Sequence, residues 1–514
     1  MKRKMDLLMY PAVKLLVPLS LGIAVGDEVV DKVGPVWWWA MAVGMVIAAS
    51  VMRHRKYIQS LLLLVAVFMT GAALVADREL SMQVKLPERI AGFNAVLLSE
   101  PVIHGKVVQT DLMVIRENGL LKVKASFLRD TLTNRYRSLH TGDGIEAMAY
   151  LEKPMNFSDA TFDYARWLRL HGFSAETFIC PDQWRKKKVN LHPMSFFQRS
   201  LLTAAICRQK LMKKLTDNLE GDALAVVTAM TLGDRHLIGK ELKEDYSITG
   251  ASHVLALSGL HLTVVYGLLM LLLGRVERLL PGLRRKGISE LTVLFAVWSY
   301  VVLVGMSSSV VRSAMMLTIY SFVSLLNRDR LSVNTLALTA VIMLFCNPLS
   351  LFDIGFQLSF VSVWSILLFY PLLYQTLSSR YLKYCAAGRW LWGMTAVSVA
   401  AQLGTAPLIA FYFCRFSTVF IPGSLIAVPG TMMIIWSSVF MLILSPFPVL
   451  SSFFGQMAGQ LVYCQDTALH WLASFPWASI GNLHVTLLQL AVYYAMLMGV
   501  WLLWSFLAGK TDFR

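Results

Sequence analysis

Apolar stretches of about 20 residues recur along this chain, and that is the length at which a helix crosses a hydrocarbon core. The first three lie at about 7–26, 36–52 and 57–76. From 77 to 222 no stretch is long enough, and the pattern changes to period two. Phe93, Ala95 and Leu97 alternate with their neighbours. So do Val108, Thr110, Leu112 and Val114, then Leu121, Val123, Ala125 and Phe127, then Ile145, Ala147, Ala149 and Leu151. Alternation places every second side chain on one face of a strand, and Asn118-Gly119 and Gly142-Asp143-Gly144 supply turns. A helix at about 160–171 and a strand at 173–179 follow. Five short strands in ~100 residues suit a small barrel, of which the OB-fold is one kind. The segment 195–219 then shows helical periodicity with Arg199, Arg208, Lys210, Lys213 and Lys214, and reads as an amphipathic helix returning to the membrane surface. The stretch 222–235 is too short and polar to span and is expected in the interface. Further spans fall near 252–273, 289–306, 309–326, 333–347, 354–372, 390–412, 417–445, 451–473 and 485–507. Pro422 and Pro429 interrupt the 417–445 stretch, which predicts a broken or re-entrant helix.

The predicted fold is a polytopic α-helical membrane protein of about 11–12 spans with an inserted OB-like β-barrel. Its units are a three-span segment at 1–76, an OB-like domain at 77–183, an interfacial linker at 184–235 and a polytopic domain at 236–514. Composition agrees: 56% of residues are hydrophobic, 15% are charged, and mean hydropathy is +0.58. A soluble domain carries about 25% charged residues.

The net charge of +16 comes from 47 Lys and Arg against 31 Asp and Glu. Much of it is topological, because basic residues collect in cytoplasmic loops. Lys2, Arg3, Lys4 and the turn Arg53-His54-Arg55-Lys56 set the N-terminus inside and turn the 77–222 insert outward. Alternating the later spans then places three more basic loops inside. They hold Arg275, Arg278, Arg284, Arg285 and Lys286; Arg328 and Arg330; and Arg380, Lys383 and Arg389. The C-terminus is also cytoplasmic on this count. The first apolar stretch lacks a small-residue cleavage site and reads as a retained span. Cysteines stand at 180, 207, 346, 385, 414 and 464 with no CxxC pair and no metal-ligand spacing, so no metal or cofactor is expected. Spacing leaves a Cys180–Cys207 disulfide open.

Polar residues inside apolar segments are costly, which makes them functional candidates. The stretch Gly250 to His261 puts His253, Ser258, Gly259 and His261 at the start of a predicted span. His253 and His261 are eight residues apart, little more than two helical turns, and Ser258 and His261 are i, i+3 neighbours. Interhelical hydrogen bonding beside a glycine kink accounts for these residues equally well. Arg312 follows three serines and could snorkel, pair with a carboxylate or line a polar path. Asp353 is placed to cap the next helix, which Gln357 and Ser359 then enter. Gln402 to Pro407 forms a polar, kinked interruption of an apolar helix.

These residues carry a family resemblance. Gly233-Asp234, Gly250 to His261, Val311-Arg312-Ser313-Ala314, Asn347 to Phe360, and Gln402 to Phe413 followed by Pro429 are similar to the ComEC family of competence proteins. Phe162 to Leu168 resembles the segment that closes that family's OB-like domain. The resemblance implies a channel in the bacterial cytoplasmic membrane that carries one strand of transforming DNA into the cell. It implies as partners single-stranded DNA, the lipid bilayer, an outer-face DNA receptor, a separate nuclease and cytoplasmic strand-binding proteins. Many members continue into a metallo-β-lactamase-like domain. No His-x-His-x-Asp-His signature occurs in this sequence, so neither nuclease nor zinc hydrolase is expected of it.

A channel for a polyanion needs a polar lining with few carboxylates. His253, Ser258, His261, Arg312 and Gln357 are expected to share one cavity, with Gly259, Asp353, Ser359 and Gln402 on the same polar path. Between 78 and 220 stand 22 Lys and Arg against 15 Asp and Glu, a moderately basic balance. Arg185, Lys186, Lys187 and Lys188 are the candidates for contact with DNA or with anionic lipid. Two other readings stay open. One is a secondary transporter or an exporter of a small or lipid-linked substrate. The other is an intramembrane hydrolase using Ser258 with a histidine, for which no orienting carboxylate is evident.

Overall fold

The structure is a computed structural model that describes residues 10–29, 32–82, 86–116, 119–131, 133–156, 163–279, 288–325, 332–377 and 385–511. Lys2, Arg3, Lys4, Asn118, Phe162, Arg284, Arg285, Lys286, Arg328, Arg330, Arg380 and Lys383 lie outside the described residues, as do the side chains of Arg275 and Arg278.

Three helices open the chain: α1 (Pro11–Val29), α2 (Pro35–Val51) and α3 (Lys56–Met82). Gly22 and Gly26 let α1 lie directly on α3. A Cβ on Gly26 would stand 2.7 Å from the Ala72 Cα, and one on Gly22 would overlap the Phe68 carbonyl oxygen. Close backbone approach at small residues is how helices pack where lipid removes the hydrophobic drive.

The insert is a curled sheet of β1 (Ala91–Leu97), β2 (Val102–His104), β3 (Val107–Arg116), β4 (Gly119–Leu128), β5 (Gly144–Ala149), β6 (Ala175–Ile179) and β7 (Trp184–Lys186). Its order is β6-β4-β3-β1-β5-β7, with β2 also on β3. All neighbours are antiparallel except β4 and β6. The alternating residues of the sequence form its core, with Phe127 edge-on to Trp184 at 5.7 Å. Beyond β5, Glu152 pairs with Glu176 of β6 through two backbone hydrogen bonds, which curls the sheet back on itself. Strands β2 and β7 go beyond the five expected.

A short helix, α4 (Tyr164–Leu170), ties this sheet to the opening helices. Asp163 caps it by accepting the Arg166 N–H at 2.9 Å. Arg166 then pairs with Asp27 at the end of α1 (2.7 Å) and lies over the Phe352 ring, while Arg169 reaches Glu79 of α3 (3.6 Å). Helix α5 (Phe196–Thr216) starts with a Ser195–Gln198 capping box. Its Leu202 packs with Val96 and Met113 of the sheet, and its Leu215 joins the helical core. The amphipathic face therefore bridges two parts of the protein, while Phe196 and Phe197 stay exposed at its start.

The remaining helices are α6 (Gly221–Leu232), α7 (Lys240–Ile248), α8 (Ser252–Leu255), α9 (Gly259–Leu279), α10 (Ile288–Leu303), α11 (Ser308–Leu325), α12 (Ser332–Cys346), α13 (Ile354–Thr376), α14 (Ala386–Phe413), α15 (Phe420–Ile443), α16 (Pro448–Ala473) and α17 (Leu487–Thr511). A short pair of strands, β8 (Phe416–Ser417) and β9 (Ser479–Ile480), links the ends of α14 and α16. Among the described residues, five helices are long and apolar enough to cross a membrane: α3, α13, α14, α15 and the Leu487–Trp504 part of α17.

The structure alters three local expectations. Helix α6, expected at an interface, is buried from Ala225 to Leu232 at the centre of the largest core, because it is apolar on every side. Helix α15 runs unbroken: Pro422 sits in its first turn, where no N–H is needed, and only Pro429 lies inside. The predicted span 252–273 is broken between α8 and α9. All six cysteines are free, so Cys180 and Cys207 are not paired.

Candidate functional site

The break falls at Ala256, which turns to an extended conformation (φ −91°, ψ 135°), and α9 starts afresh at Gly259. The Ser258 N–H donates to His261 Nδ1 at 3.1 Å, the backbone half of a capping box with histidine in the acceptor role. Nδ1 is thereby an acceptor, which puts the ring proton on Nε2. The ring is fully buried, and Nε2 has no hydrogen-bond partner among the described residues. Ser258 Oγ also lies 2.9 Å from Nδ1. That is a dyad distance, yet the Nδ1 lone pair is already engaged by a backbone N–H. Among the described residues no ion pair to a carboxylate orients the ring. This arrangement terminates a helix rather than activating a nucleophile.

Helix α11 presses on the start of α9. A Cβ on Gly259 would stand 2.5 Å from Ser313 Oγ and 3.7 Å from Arg312 Nη2. Arg312 is 4% exposed. Its Nη2 donates to Ser309 Oγ at 3.3 Å, Ser309 Oγ is 3.4 Å from Ser359 Oγ of α13, and the guanidinium lies 5.6 Å from the Phe360 ring centre. Its Nε and Nη1 are enclosed without a hydrogen-bond partner. The structure thus brings Gly259, Ser309, Arg312, Ser313 and Ser359 into one seam along α11, which packs on α9 and on α13, while Ser258 and His261 stand in the opening turn of α9 beside it.

Other predicted residues stand apart from Arg312. His253 is exposed on α8, near enough to His261 for the two rings to interact electrostatically, and bonds the Gly250 carbonyl (3.1 Å). Asp353 caps α13 by accepting the Gly355 N–H at 3.0 Å. Gln357 points to α14: it accepts from Tyr412 Oη (2.8 Å) and donates to the Leu351 carbonyl (2.9 Å). Gln402 is half-buried on α14. An apolar cavity of about 290 Å³ lies apart from all of these, between Leu211, Thr231, Val265, Tyr300 and Val439.

The Gln402–Pro407 stretch is helical. Pro407 has no N–H, so the Leu403 carbonyl loses its partner within the helix. Tyr493 of α17 donates to that carbonyl at 3.0 Å, and Tyr494 donates to the Gly404 carbonyl at 2.7 Å. These tyrosines, Tyr412 and the Gly22–Gly26 pair were missed from sequence. Only the glycine pair left a signal, the small-xxx-small spacing.

The basic run begins on β7, beside β5, and continues past the end of that strand. Arg185 and Lys187 both pair with Glu146, and Lys186 pairs with Asp143 (2.6 Å). Lys187 first and Arg185 second hold the Glu146 carboxyl below the usual carboxylate range. The two Glu146 pairs therefore persist at neutral pH and are lost as pH falls through that lowered value. Lys188, also exposed, has no ion-pair partner among the described residues.

The family model described as Competence protein matches residues 230–507, from the end of α6 into α17. The chain belongs to the Competence protein family. Over 346 residues it is 28% identical to ComE operon protein 3 of Bacillus subtilis, covering 65% of this chain and 40% of that protein. Over 205 residues it is 26% identical to Recombination protein 2 of Haemophilus influenzae, covering 39% and 26% respectively. The chain thus spans less than half the length of these relatives in its matches. No solved structure matches it. The Competence match takes in the whole α9–α11–α13 seam and the Pro407 region, and leaves the curled sheet outside.

Proposed function

We propose that this protein is a multi-pass channel of the bacterial cytoplasmic membrane that carries single-stranded DNA into the cell during natural competence. The observation that carries the reading is the Competence match, which covers the seam where Arg312 and Ser309 of α11 meet Ser359 of α13 beside Gly259 of α9. In this reading the chain spans the membrane about 11–12 times, with both termini in the cytoplasm. Its units are the three-span segment 1–76, an outward-facing OB-like domain at 77–183, the linker 184–235 and the channel domain 236–514. The curled sheet meets DNA first, and an outer-face receptor, a separate nuclease and cytoplasmic strand-binding proteins complete the route. The path is centred on Ser258, Gly259, His261, Arg312 and Ser359, and His253, Asp353, Gln357 and Gln402, which stand apart from that seam here, join it when the helices rearrange around a strand. The chain conducts and does not cleave.

Deletion followed by a transformation assay with labelled DNA tests this directly. The expected result is DNA held at the cell surface and no label in the cytoplasm. Normal entry without the protein would sink the proposal.

The sheet's share in the task has its own test. Glu146→Gln removes the carboxylate that neutralises Arg185 and Lys187. A labelled single-stranded oligonucleotide should then bind the full-length protein in neutral-lipid nanodiscs more tightly. Each extra phosphate neutralised steepens the log–log salt dependence by about 0.7, so two freed cations add up to about 1.4. An unchanged slope would remove the basic run from the DNA path.

A further inference from the structure

Arg312 is a buried cation, and among the described residues no ion pair includes it. Its hydrogen-bond partner is one serine hydroxyl, and two of its three nitrogens have none. An enclosed charge in this condition is strongly destabilising, and proteins keep one where a ligand of opposite sign completes it. The guanidinium is also aimed. Nη2 stands beside Gly259, the first residue of the 21-residue helix α9. The first turn of a helix presents N–H groups with no partner inside the helix and the positive end of its dipole, which together favour an oxyanion. The break at Ala256 creates this helix start within an apolar segment. Gly259, lacking a side chain, brings the helix start and the guanidinium together.

We propose that Arg312 and the first turn of α9 form a seat for a single phosphate group, with Ser309 and Ser313 at its edge. The ligand class is a phosphate mono- or diester, since a guanidinium fork and backbone N–H groups match its oxygens. In this structure the seat is closed by Phe360 and Ser359, so occupancy requires α13 to shift from α9 and α11. The seat stands on local geometry. The further step, that its phosphates belong to a DNA strand, rests on the channel reading above.

The test uses the full-length protein in neutral-lipid nanodiscs, with inorganic phosphate as the probe. Phosphate should raise the thermal unfolding midpoint of the natural protein. Arg312→Gln should unfold at a higher temperature than the natural protein without phosphate, because it removes an uncompensated buried charge, and should lose the phosphate response. Arg312→Lys should keep a weaker response, with affinity down about tenfold for the lost fork. A purely structural arginine predicts the opposite first sign, a lowered midpoint for Arg312→Gln. That sign, or an undiminished phosphate response in Arg312→Gln, overturns the seat. Competition arms identify the source. A short single-stranded oligonucleotide that displaces phosphate, where its uncharged methylphosphonate analogue does not, assigns the seat to nucleic acid. Displacement by anionic phosphatidylglycerol nanodiscs alone assigns it to lipid; the seat then stands and the DNA step fails.

Discussion

Replacing Gly22 by alanine should leave little monodisperse protein, while the same replacement at Gly44 should be tolerated. Both glycines lie inside helices, α1 and α2, so the gain in helix propensity is the same, about 1 kcal/mol. Their surroundings differ. A Cβ on Gly44 meets nothing within 4 Å, whereas one on Gly22 overlaps the Phe68 carbonyl of α3. Backbone cannot rotate aside as a side chain can. The two helices must separate, and that also breaks the fit of Gly26 to Ala72 and of Gly71 to Leu19. Overpacking of this kind costs about 3 kcal/mol or more, outweighing the propensity gain. Size-exclusion profiles and SDS titration of the purified variants measure the difference. Equal behaviour of the two would show that the α1–α3 contact does not hold the opening helices together.

The second large effect is expected at Gln357. Gln357→Leu removes an acceptor from Tyr412 Oη and a donor from the Leu351 carbonyl, so two groups lose their partners at once. The cost should be about 1.5–3 kcal/mol, with the smaller values met inside membranes. Tyr412→Phe alone removes only one side of the bond and should cost about 0.6–1.7 kcal/mol. The double variant should cost less than the sum, because the phenylalanine leaves no hydroxyl behind. Additive costs would mean that the two side chains do not interact. The same cycle separates two roles for Gln357. If it only ties α13 to α14, DNA uptake should fall with stability. If uptake falls while stability holds in a Gln357→Asn variant, the amide serves the path itself.

How much of this was legible beforehand depended on the range of the forces involved. Period-two alternation from Phe93 to Leu151 is a local signal, because one face of each strand is buried, and the core follows it. Strand β7 was hidden: Trp184 is its one buried residue, and three residues carry no periodicity. Helix α6 could have been read correctly, since a helix apolar all round is a buried one. The break in 252–273 was legible only as a glycine kink at Gly259, not as a chain break at Ala256. Ala256 and Leu257 suit a helix, no proline marks the spot, and the turn depends on His261 reaching back to Ser258.

The sequence by itself determined the alternation of apolar helices with a curled sheet, because burial periodicity is written residue by residue. It also determined the family, because the motifs around Ser258, Arg312, Gln357 and Pro407 keep their order along the chain. Only the tertiary structure decided which polar residues meet. Gly259 and Arg312 are 53 positions apart and Ser309 and Ser359 are 50. They converge because small side chains let three helices approach there. Asp353 and Gln357 belong to the same motifs yet turn elsewhere, to the Gly355 N–H and the Tyr412 hydroxyl.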